Sequence, residues 1–252
     1  MVRLGQNFLA DRNLLDAIVR EAAIDPEDVV LEIGPGTGVL TERLADLARH
    51  VHAIELDRRL APELEDVASR LNVTLHWEDA MTADLASLRP APSKVVSNLP
   101  YSVATPVIVR SIEMLPDVGE WTLMVQREIA ERLRAAPGSR VYGGPSALVQ
   151  LAAEVSVLRQ VDPAVFRPRP RVRSALLRLR RTGSAADAAT RSVVRDGFAH
   201  RRKSLARSLE LARPGSLEPT RAALRELGLA EDARAEALSP QEFSQLAAKL
   251  RD

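Results

Sequence analysis

The sequence contains no cysteine, which excludes disulfide bonds, thiolate zinc sites and cysteine nucleophiles. Aromatic residues make up only 3 % of the 252 residues, so we expect no extended platform for stacking single-stranded nucleic acid. No apolar run reaches the roughly 18 residues that a membrane span needs. The first residues also lack the apolar stretch of a signal peptide. We therefore expect a cytoplasmic protein with no membrane segment.

The sequence also has no large excess of positive or negative charge, because 35 basic and 34 acidic residues leave a formal net charge of +1. The distribution of the basic residues is more informative than their sum. Eight arginines but only one acid, Asp162, lie between positions 159 and 181, and a second basic cluster surrounds Arg201, Arg202 and Lys203. Each cluster is compatible either with a solvated surface or with binding of nucleic acid.

Hydrophobic residues, at 46 % of the sequence, are arranged as alternating strands and helices. Short apolar runs predict strands at 28–33, 51–55, 73–77, 94–97 and 121–125, and period-3.6 patterns predict helices at 39–49, 58–71, 104–115 and 126–135. This alternation predicts a doubly wound α/β sheet. Two later runs, 148–158 and 174–179, are separated by a proline-rich stretch, so we expect them to pair antiparallel at a sheet edge.

The composition changes after Arg181, where a short stretch rich in Gly, Ser and Ala resembles a linker. Only helical patterns follow it. The last helix is marked by Ser239, Pro240 and Glu242, which form a capping box with proline in the first turn. We predict an α/β domain over residues 1–181 and a small helical domain over 182–252.

A glycine-rich loop, residues 34–38, lies between the first predicted strand and its helix. Glu55 follows 21 positions after Gly34, which is the spacing at which a carboxylate accepts hydrogen bonds from both hydroxyls of a ribose. The loop lacks the G-x-G-x-x-G pattern that binds pyrophosphate. A cofactor without phosphates is therefore favoured, S-adenosylmethionine rather than NAD, held by Gly34, Gly36 and Glu55. Asp79, after the third strand, is placed to accept from the adenine amine.

The segment Asn98-Leu99-Pro100-Tyr101 follows the fourth strand, at the edge where open α/β sheets bind their ligands. An asparagine oxygen and a backbone carbonyl can each accept one proton of an aromatic amine, which localises the nitrogen lone pair for attack on a methyl group. Pro100 fixes the turn, and Tyr101 can stack on an unpaired base. We predict that these four residues form the catalytic loop of a methyltransferase that acts on the amine of an aromatic base.

Five motifs in order along nearly the whole chain make it resemble the ribosomal RNA adenine dimethyltransferases, and within them the small-subunit, kasugamycin-resistance branch. The motifs are Gly5-Gln6-Asn7-Phe8-Leu9, Glu32 to Gly38, Asn98 to Tyr101, Phe166 to Val172, and Arg201-Arg202-Lys203-Ser204-Leu205. Glu78, where the family usually has glycine, and Arg173, where it usually has aspartate, depart from the pattern. Neither residue belongs to the predicted chemistry.

The resemblance implies a Rossmann-like S-adenosylmethionine-dependent methyltransferase sheet with a small C-terminal helical domain. It implies cofactor contacts at Asn7, Leu9, Gly34, Glu55, Asp79 and Asn98, and target-adenine contacts at Asn98, Leu99 and Tyr101, with Phe166 near the target base. The expected reaction is dimethylation of two adjacent adenosines in the 3′-terminal hairpin loop of small-subunit rRNA, within a ribosomal subunit or an assembly intermediate.

The basic segments supply the remaining predicted RNA contacts, Arg167, Arg169, Arg171, Arg201, Arg202 and Lys203, because a proline-stiffened basic loop suits a phosphate backbone. His50 and His52 share one face of a strand without a third ligand, so we expect no metal site. We expect a monomer. Two alternatives remain open: a large-subunit rRNA methyltransferase of the erythromycin-resistance type, and a mainly non-catalytic small-subunit assembly factor.

Overall fold

A computed structural model describes residues 8–9 and 11–251 of the chain. The strands are β1 (Phe8–Leu9), β2 (Val29–Ile33), β3 (His50–Ile54), β4 (Val73–His76), β5 (Lys94–Asn98), β6 (Glu120–Gln126), β7 (Ala153–Val161), β8 (Phe166–Arg167) and β9 (Ser174–Arg181). The helices are α1 (Arg12–Ala22), α2 (Val39–Ala45), α3 (Ala61–Ala68), α4 (Ala104–Met114), α5 (Arg127–Leu133), α6 (Gly144–Ala152), α7 (Ala188–Phe198), α8 (Leu205–Ala212), α9 (Leu217–Glu226) and α10 (Pro240–Lys249).

Seven strands form one mixed sheet in the order β4-β3-β2-β5-β6-β9-β7. The first five of these are parallel to one another, and β9 runs antiparallel to β6. All five residues of β2 are buried, which is the pattern of a central parallel strand covered on both faces. Helices α1, α2 and α3 pack against β6, β3 and β4. The predicted α/β class is confirmed.

The apolar run predicted as a strand at 148–158 begins as a helix, and this part of the prediction was wrong. Residues up to Ala152 belong to α6, and β7 starts only at Ala153. The helix is favoured because the Ser146 hydroxyl accepts from the Gly143 N–H and because Pro145 lies in the first turn. The β7 strand then lies at the edge of the sheet, next to β9.

The chain forms two compact units. One comprises Met1–Ala130 and Val155–Arg181 and contains the sheet; the other comprises Glu131–Glu154 and Thr182–Asp252. This division differs from the predicted domains in the segment 131–154. The reason is that Ala135, Tyr142 and Ala147 are buried in the apolar core of the helical unit.

The core of the helical unit is built from α6, α7, α8, α9 and α10, with Phe243 and Leu246 of α10 fully buried. The predicted capping box of α10 is present, since the Ser239 hydroxyl accepts from the Glu242 N–H while the Glu242 carboxylate accepts from the Ser239 N–H. Within the described residues, no helix combines the length and the apolar composition needed to cross a membrane.

Candidate cofactor and target-base site

A pocket lies at the carboxyl edge of the sheet, where β2, β3 and β5 end. Because parallel strands all end on this side, residues far apart in sequence meet here. The lining residues are Phe8, Leu9, Glu32, Gly34, Pro35, Gly36, Thr37, Val39, Leu40, Glu55, Asn98, Leu99, Pro100 and Tyr101. The pocket therefore joins the predicted cofactor loop to all four residues of the predicted catalytic loop.

The glycine loop has a backbone conformation that only glycine adopts readily. Gly34, Gly36 and Gly38 have φ angles of +76°, +61° and +79°. A Cβ atom on Gly36 would lie 2.9 Å from the Phe8 ring, and one on Gly34 would lie 3.2 Å from the Pro100 ring. The loop thus packs against both Phe8 and the catalytic loop.

Glu55 follows β3 directly and is only 4 % exposed. One carboxylate oxygen accepts from the Gly36 N–H at 3.2 Å, and the other accepts from the Asp57 N–H at 2.8 Å. These two bonds orient the carboxylate in the pocket. They leave further lone pairs on each oxygen for the hydroxyls of a ligand.

Glu32, which we did not predict as a site residue, lines the same pocket from the end of β2. It is 1 % exposed, and its Oε2 atom has no hydrogen-bonding partner among the described residues. Burial, together with the nearby charge of Glu55, raises the pKa of Glu32 to about 8. The sequence signal was an acid inside an otherwise apolar buried strand.

The catalytic loop continues the edge of β5. Asn98 lies opposite Met124 of β6, and the Leu99 N–H donates to the Met124 carbonyl at 3.1 Å, so both residues are held by the sheet. The Pro100 carbonyl accepts from the Val103 N–H, which closes the turn before α4. Leu99 is buried, whereas Tyr101 is half-buried.

The remaining residues that we predicted to contact the cofactor or the target base do not all line the pocket. Leu9 is buried and lines the pocket beside Phe8, whereas Asn7 lies outside the described residues. Asp79 is exposed, does not line the pocket, and accepts from the Met81 N–H at 2.8 Å in a turn. Phe166 is 1 % exposed, pairs with Leu9 and belongs to the apolar core. The roles of these residues in binding stay predictions.

The basic residues that we predicted to bind RNA are on the surface of their own units. Arg167, Arg169 and Arg171 are exposed in the unit that contains the sheet, with Arg169 3.8 Å from Asp162. Arg201, Arg202 and Lys203 are exposed in the helical unit.

The Arg201 guanidinium is partly engaged by its own unit. It donates to the carbonyls of Arg140 and Tyr142, at 3.3 Å and 2.9 Å, and lies 3.5 Å from the Glu236 carboxylate. Arg201 therefore has a structural function beside any binding function.

Of the two strand histidines, His52 contacts a third histidine, His76, whereas the His50 ring packs against the His52 ring. The Pro90 carbonyl can only accept, so the Nε2 atom of His52, 2.9 Å away, carries a proton. The Nδ1 atom of His52 then accepts from Nε2 of His76 at 3.1 Å. The described part of the chain holds no group of three or more His, Cys, Asp or Glu side chains arranged for a metal ion.

The sequence profile of the family described as ribosomal RNA adenine dimethylase matches residues 2–252. Three proteins named ribosomal RNA small subunit methyltransferase A illustrate the similarity. The protein from Rubrobacter xylanophilus is 44 % identical over 96 % of this chain and 91 % of its own length. The protein from Thermobifida fusca is 41 % identical over 97 % and 88 %. The protein from Streptomyces coelicolor is 40 % identical over 96 % and 88 %.

Two solved structures are similar over nearly the whole chain. A dimethyladenosine transferase from Plasmodium falciparum superimposes with a TM-score of 0.79 at 26 % identity, covering 95 % of both chains. The 23S rRNA methyltransferase ErmE superimposes with a TM-score of 0.68 at 30 % identity, covering 98 % of this chain and 100 % of its own. With a pocket that joins Glu55 and the glycine loop to residues 98–101, and with the family profile matched over residues 2–252, this chain belongs to the ribosomal RNA adenine dimethylase family, whose methyl donor is S-adenosylmethionine.

Proposed function

We propose that this protein transfers methyl groups from S-adenosylmethionine to the exocyclic N6 atoms of two adjacent adenosines in the 3′-terminal hairpin loop of small-subunit rRNA. The observation that carries the proposal is that one pocket at the carboxyl edge of the sheet contains both predicted loops. There the ribose-binding Glu55 and the glycine loop lie beside Asn98 and Tyr101. Donor and acceptor sites are therefore adjacent, as direct transfer between them requires.

The residues of the pocket suit the cofactor. The Glu32 oxygen that has no partner among the described residues suits the positively charged amino group of S-adenosylmethionine, because a buried carboxylate needs a cation or a donor. Glu55 suits the ribose hydroxyls. Gly34 and Gly36 have no side chains to fill the pocket between the loop and the residues Phe8 and Pro100, which leaves room for the ligand. When bound, the cofactor supplies an electrophilic methyl group on a sulfonium, whose sulfur takes the electron pair as the methyl leaves.

Asn98 and the Leu99 carbonyl accept the two amine protons of the target adenine. We assign the backbone acceptor to the Leu99 carbonyl because it directly follows Asn98, whereas the Pro100 carbonyl already accepts from the Val103 N–H in the turn before α4. Accepting both protons favours a tetrahedral N6 with a localised lone pair, which forms the new N–C bond. One N6 proton leaves to solvent, and the second transfer repeats the same step on the remaining N–H.

Tyr101 stacks on the flipped adenine, since its ring is half-buried at the pocket and its position follows the two acceptors. Exposed basic residues on both units bind the RNA backbone. They are Arg167, Arg169 and Arg171 on the unit that contains the sheet, and Arg202 and Lys203 on the helical unit. These contacts position the rRNA without reading its bases.

The small subunit is favoured as the source of the rRNA because the curated relatives described above carry that name and are more similar to this chain than ErmE is. We propose that the enzyme acts in the cytoplasm, as a monomer, on rRNA already within a small subunit or an assembly intermediate, and that the modification is coupled to ribosome biogenesis.

Transfer of labelled methyl from S-adenosylmethionine to undermethylated small subunits tests the proposal. Large-subunit rRNA is the alternative substrate, and wild type, Asn98→Ala and the surface variant Gln241→Ala are compared. We expect dimethyladenosine in small-subunit rRNA with wild type and Gln241→Ala, and a loss of about 100-fold or more with Asn98→Ala.

Label in large-subunit rRNA alone would instead assign the chain to the erythromycin-resistance type. No label in either RNA, together with restored subunit maturation in a deletion strain, would assign it to a mainly non-catalytic assembly function.

A further inference from the structure

The Tyr101 hydroxyl lies 2.7 Å from the hydroxyl of Ser174, which is 73 positions later in the chain. Ser174 is fully buried at the first position of β9. Burial raises the pKa of the Tyr101 phenol above its usual value, so the phenol stays protonated near neutral pH. The two hydroxyls therefore form a neutral hydrogen bond within the protein.

The direction of β9 explains how these two residues meet. β9 is antiparallel to β6, and its first residue, Ser174, lies opposite Gln126, the last residue of β6. Asn98 lies opposite Met124 on the other side of the same strand. The start of β9 therefore lies at the carboxyl edge of the parallel strands, beside the catalytic loop.

Ser174 is a rigid anchor, whereas Tyr101 is not held by a strand. The residue before Ser174, Arg173, accepts at its carbonyl from the N–H of Arg127, the first residue of α5, at 3.0 Å, and the residues that follow Ser174 pair with β6. Tyr101 belongs to the turn between β5 and α4. A ring attached to a turn at one end and hydrogen-bonded to a buried hydroxyl at the other has its long axis, from Cβ to the hydroxyl oxygen, held at both ends.

We propose that Ser174 is a positioning residue for methyl transfer: its hydrogen bond to Tyr101 fixes the position and direction of the ring against which the target adenine stacks. The inference rests on the proposed function, in which Tyr101 contacts the base. Ser174 itself contacts no substrate and acts only through the tyrosine. A ring free to swing about its Cα–Cβ bond would hold the adenine amine less accurately against Asn98, and errors of about 1 Å in such geometry slow reactions by up to about 100-fold.

A double-mutant cycle with Ser174→Ala and Tyr101→Phe measures this dependence. We expect each single variant to lower kcat about tenfold with an unchanged Kd for S-adenosylmethionine, and the double variant to be no slower than either one. Ser174→Thr, which keeps a hydroxyl, should restore most of kcat. Thermal unfolding of each variant, with the buried-serine control Ser208→Ala, separates loss of stability from loss of positioning.

A second measurement does not depend on any RNA. The chain has two tyrosines, Tyr101 and Tyr142, so the protein with 13C-labelled tyrosine rings gives two sets of ring signals, assigned by Tyr101→Phe. Ser174→Ala should shift the Tyr101 signals and leave those of Tyr142 in place. Unmoved Tyr101 signals, or rate losses that multiply in the double variant, would overturn the proposal. Shifted signals with a wild type inactive on small-subunit rRNA would instead reject only the proposed substrate.

Discussion

The Glu55 carboxylate accepts a hydrogen bond from the backbone N–H of Gly36, so the acid that ends β3 holds the glycine loop that follows β2. The same carboxylate accepts from the Asp57 N–H through its second oxygen. Each carboxylate oxygen therefore accepts from one backbone N–H. A glutamine could accept only one of these two bonds, because its amide has a single oxygen and its NH2 group is a donor.

Glu55→Gln is expected to weaken S-adenosylmethionine binding and to destabilise the protein by about 1–3 kcal/mol, the range for a buried donor that loses its acceptor. Isothermal titration and chemical denaturation measure the two effects. The exposed Glu42→Gln is the matched control and should change neither quantity. An unchanged Kd in Glu55→Gln would show that this carboxylate does not bind the cofactor.

Glu32 is expected to make the cofactor-free protein less stable as the pH rises. Its pKa is about 8 in the folded protein against an ordinary value of 4.5, so between these values the native state holds a proton that the unfolded state has released. The contribution of Glu32 to the free energy of unfolding therefore falls as the pH rises from about 5 to about 8, and is constant above that.

Glu32→Gln removes this dependence. Denaturation of wild type and variant at pH 5, 7 and 9 should show the wild type losing a few kcal/mol relative to the variant across the series. The same variant should bind S-adenosylmethionine more weakly at pH 9, where wild-type Glu32 is ionised and can pair with a cation. A pH-independent difference in stability would contradict the raised pKa.

Charge reversal at Arg202 and Lys203 is expected to weaken rRNA binding without unfolding the helical unit, since both side chains are exposed. If each contacts one phosphate, the plot of the logarithm of the RNA-binding constant against the logarithm of the salt concentration becomes less steep by about 1.5 in the double variant. The affinity for S-adenosylmethionine stays the same. Filter binding at several salt concentrations measures the slope.

Arg201→Glu serves as a contrast in the same cluster. It removes hydrogen bonds to the carbonyls of Arg140 and Tyr142 and places two acids, residue 201 and Glu236, close together. We therefore expect it to lower the unfolding temperature as well as the affinity for RNA. A salt slope that does not change in the Arg202 and Lys203 variant would show that these residues do not contact phosphate.

His52 is expected to make the protein unstable in mild acid. Burial lowers its pKa to about 4, from an ordinary 6.5, so the unfolded chain takes up a proton below pH 6.5 that the native state does not. Stability present above pH 6.5 is therefore lost as the pH falls towards 4. Denaturation between pH 4.5 and 7 should show a shallower loss in His52→Gln than in wild type, while the exposed His200→Gln should behave as wild type.

Local signals in the sequence were enough to locate the main parts of the site. The glycine loop and Glu55 were predicted from spacing, and Asn98 from its place after the fourth strand. Both predictions depend on adjacent strands that end at one edge, a geometry shared by open parallel sheets. Glu32 was missed because an acid within a strand has no spacing partner, and only the fold shows that its Oε2 atom lacks a hydrogen-bonding partner among the described residues.

Local sequence patterns did not predict the boundary between α6 and β7. The run around 148–158 is apolar throughout, and an apolar run by itself does not distinguish a buried helix from a buried strand. The Gly143 and Ser146 cap decided the first half, and pairing beside β9 decided the second.

By itself, the sequence determined the α/β alternation, the glycine-rich loop after β2, the cap of α10 and the place of the segment 98–101 at the end of β5, because each depends on residues close together in the chain. Only the tertiary structure decided which distant groups meet: Tyr101 with Ser174, His52 with His76, and segment 131–154 with the helical unit. Burial and hydrogen bonding between residues far apart in sequence depend on packing, and no local pattern encodes them.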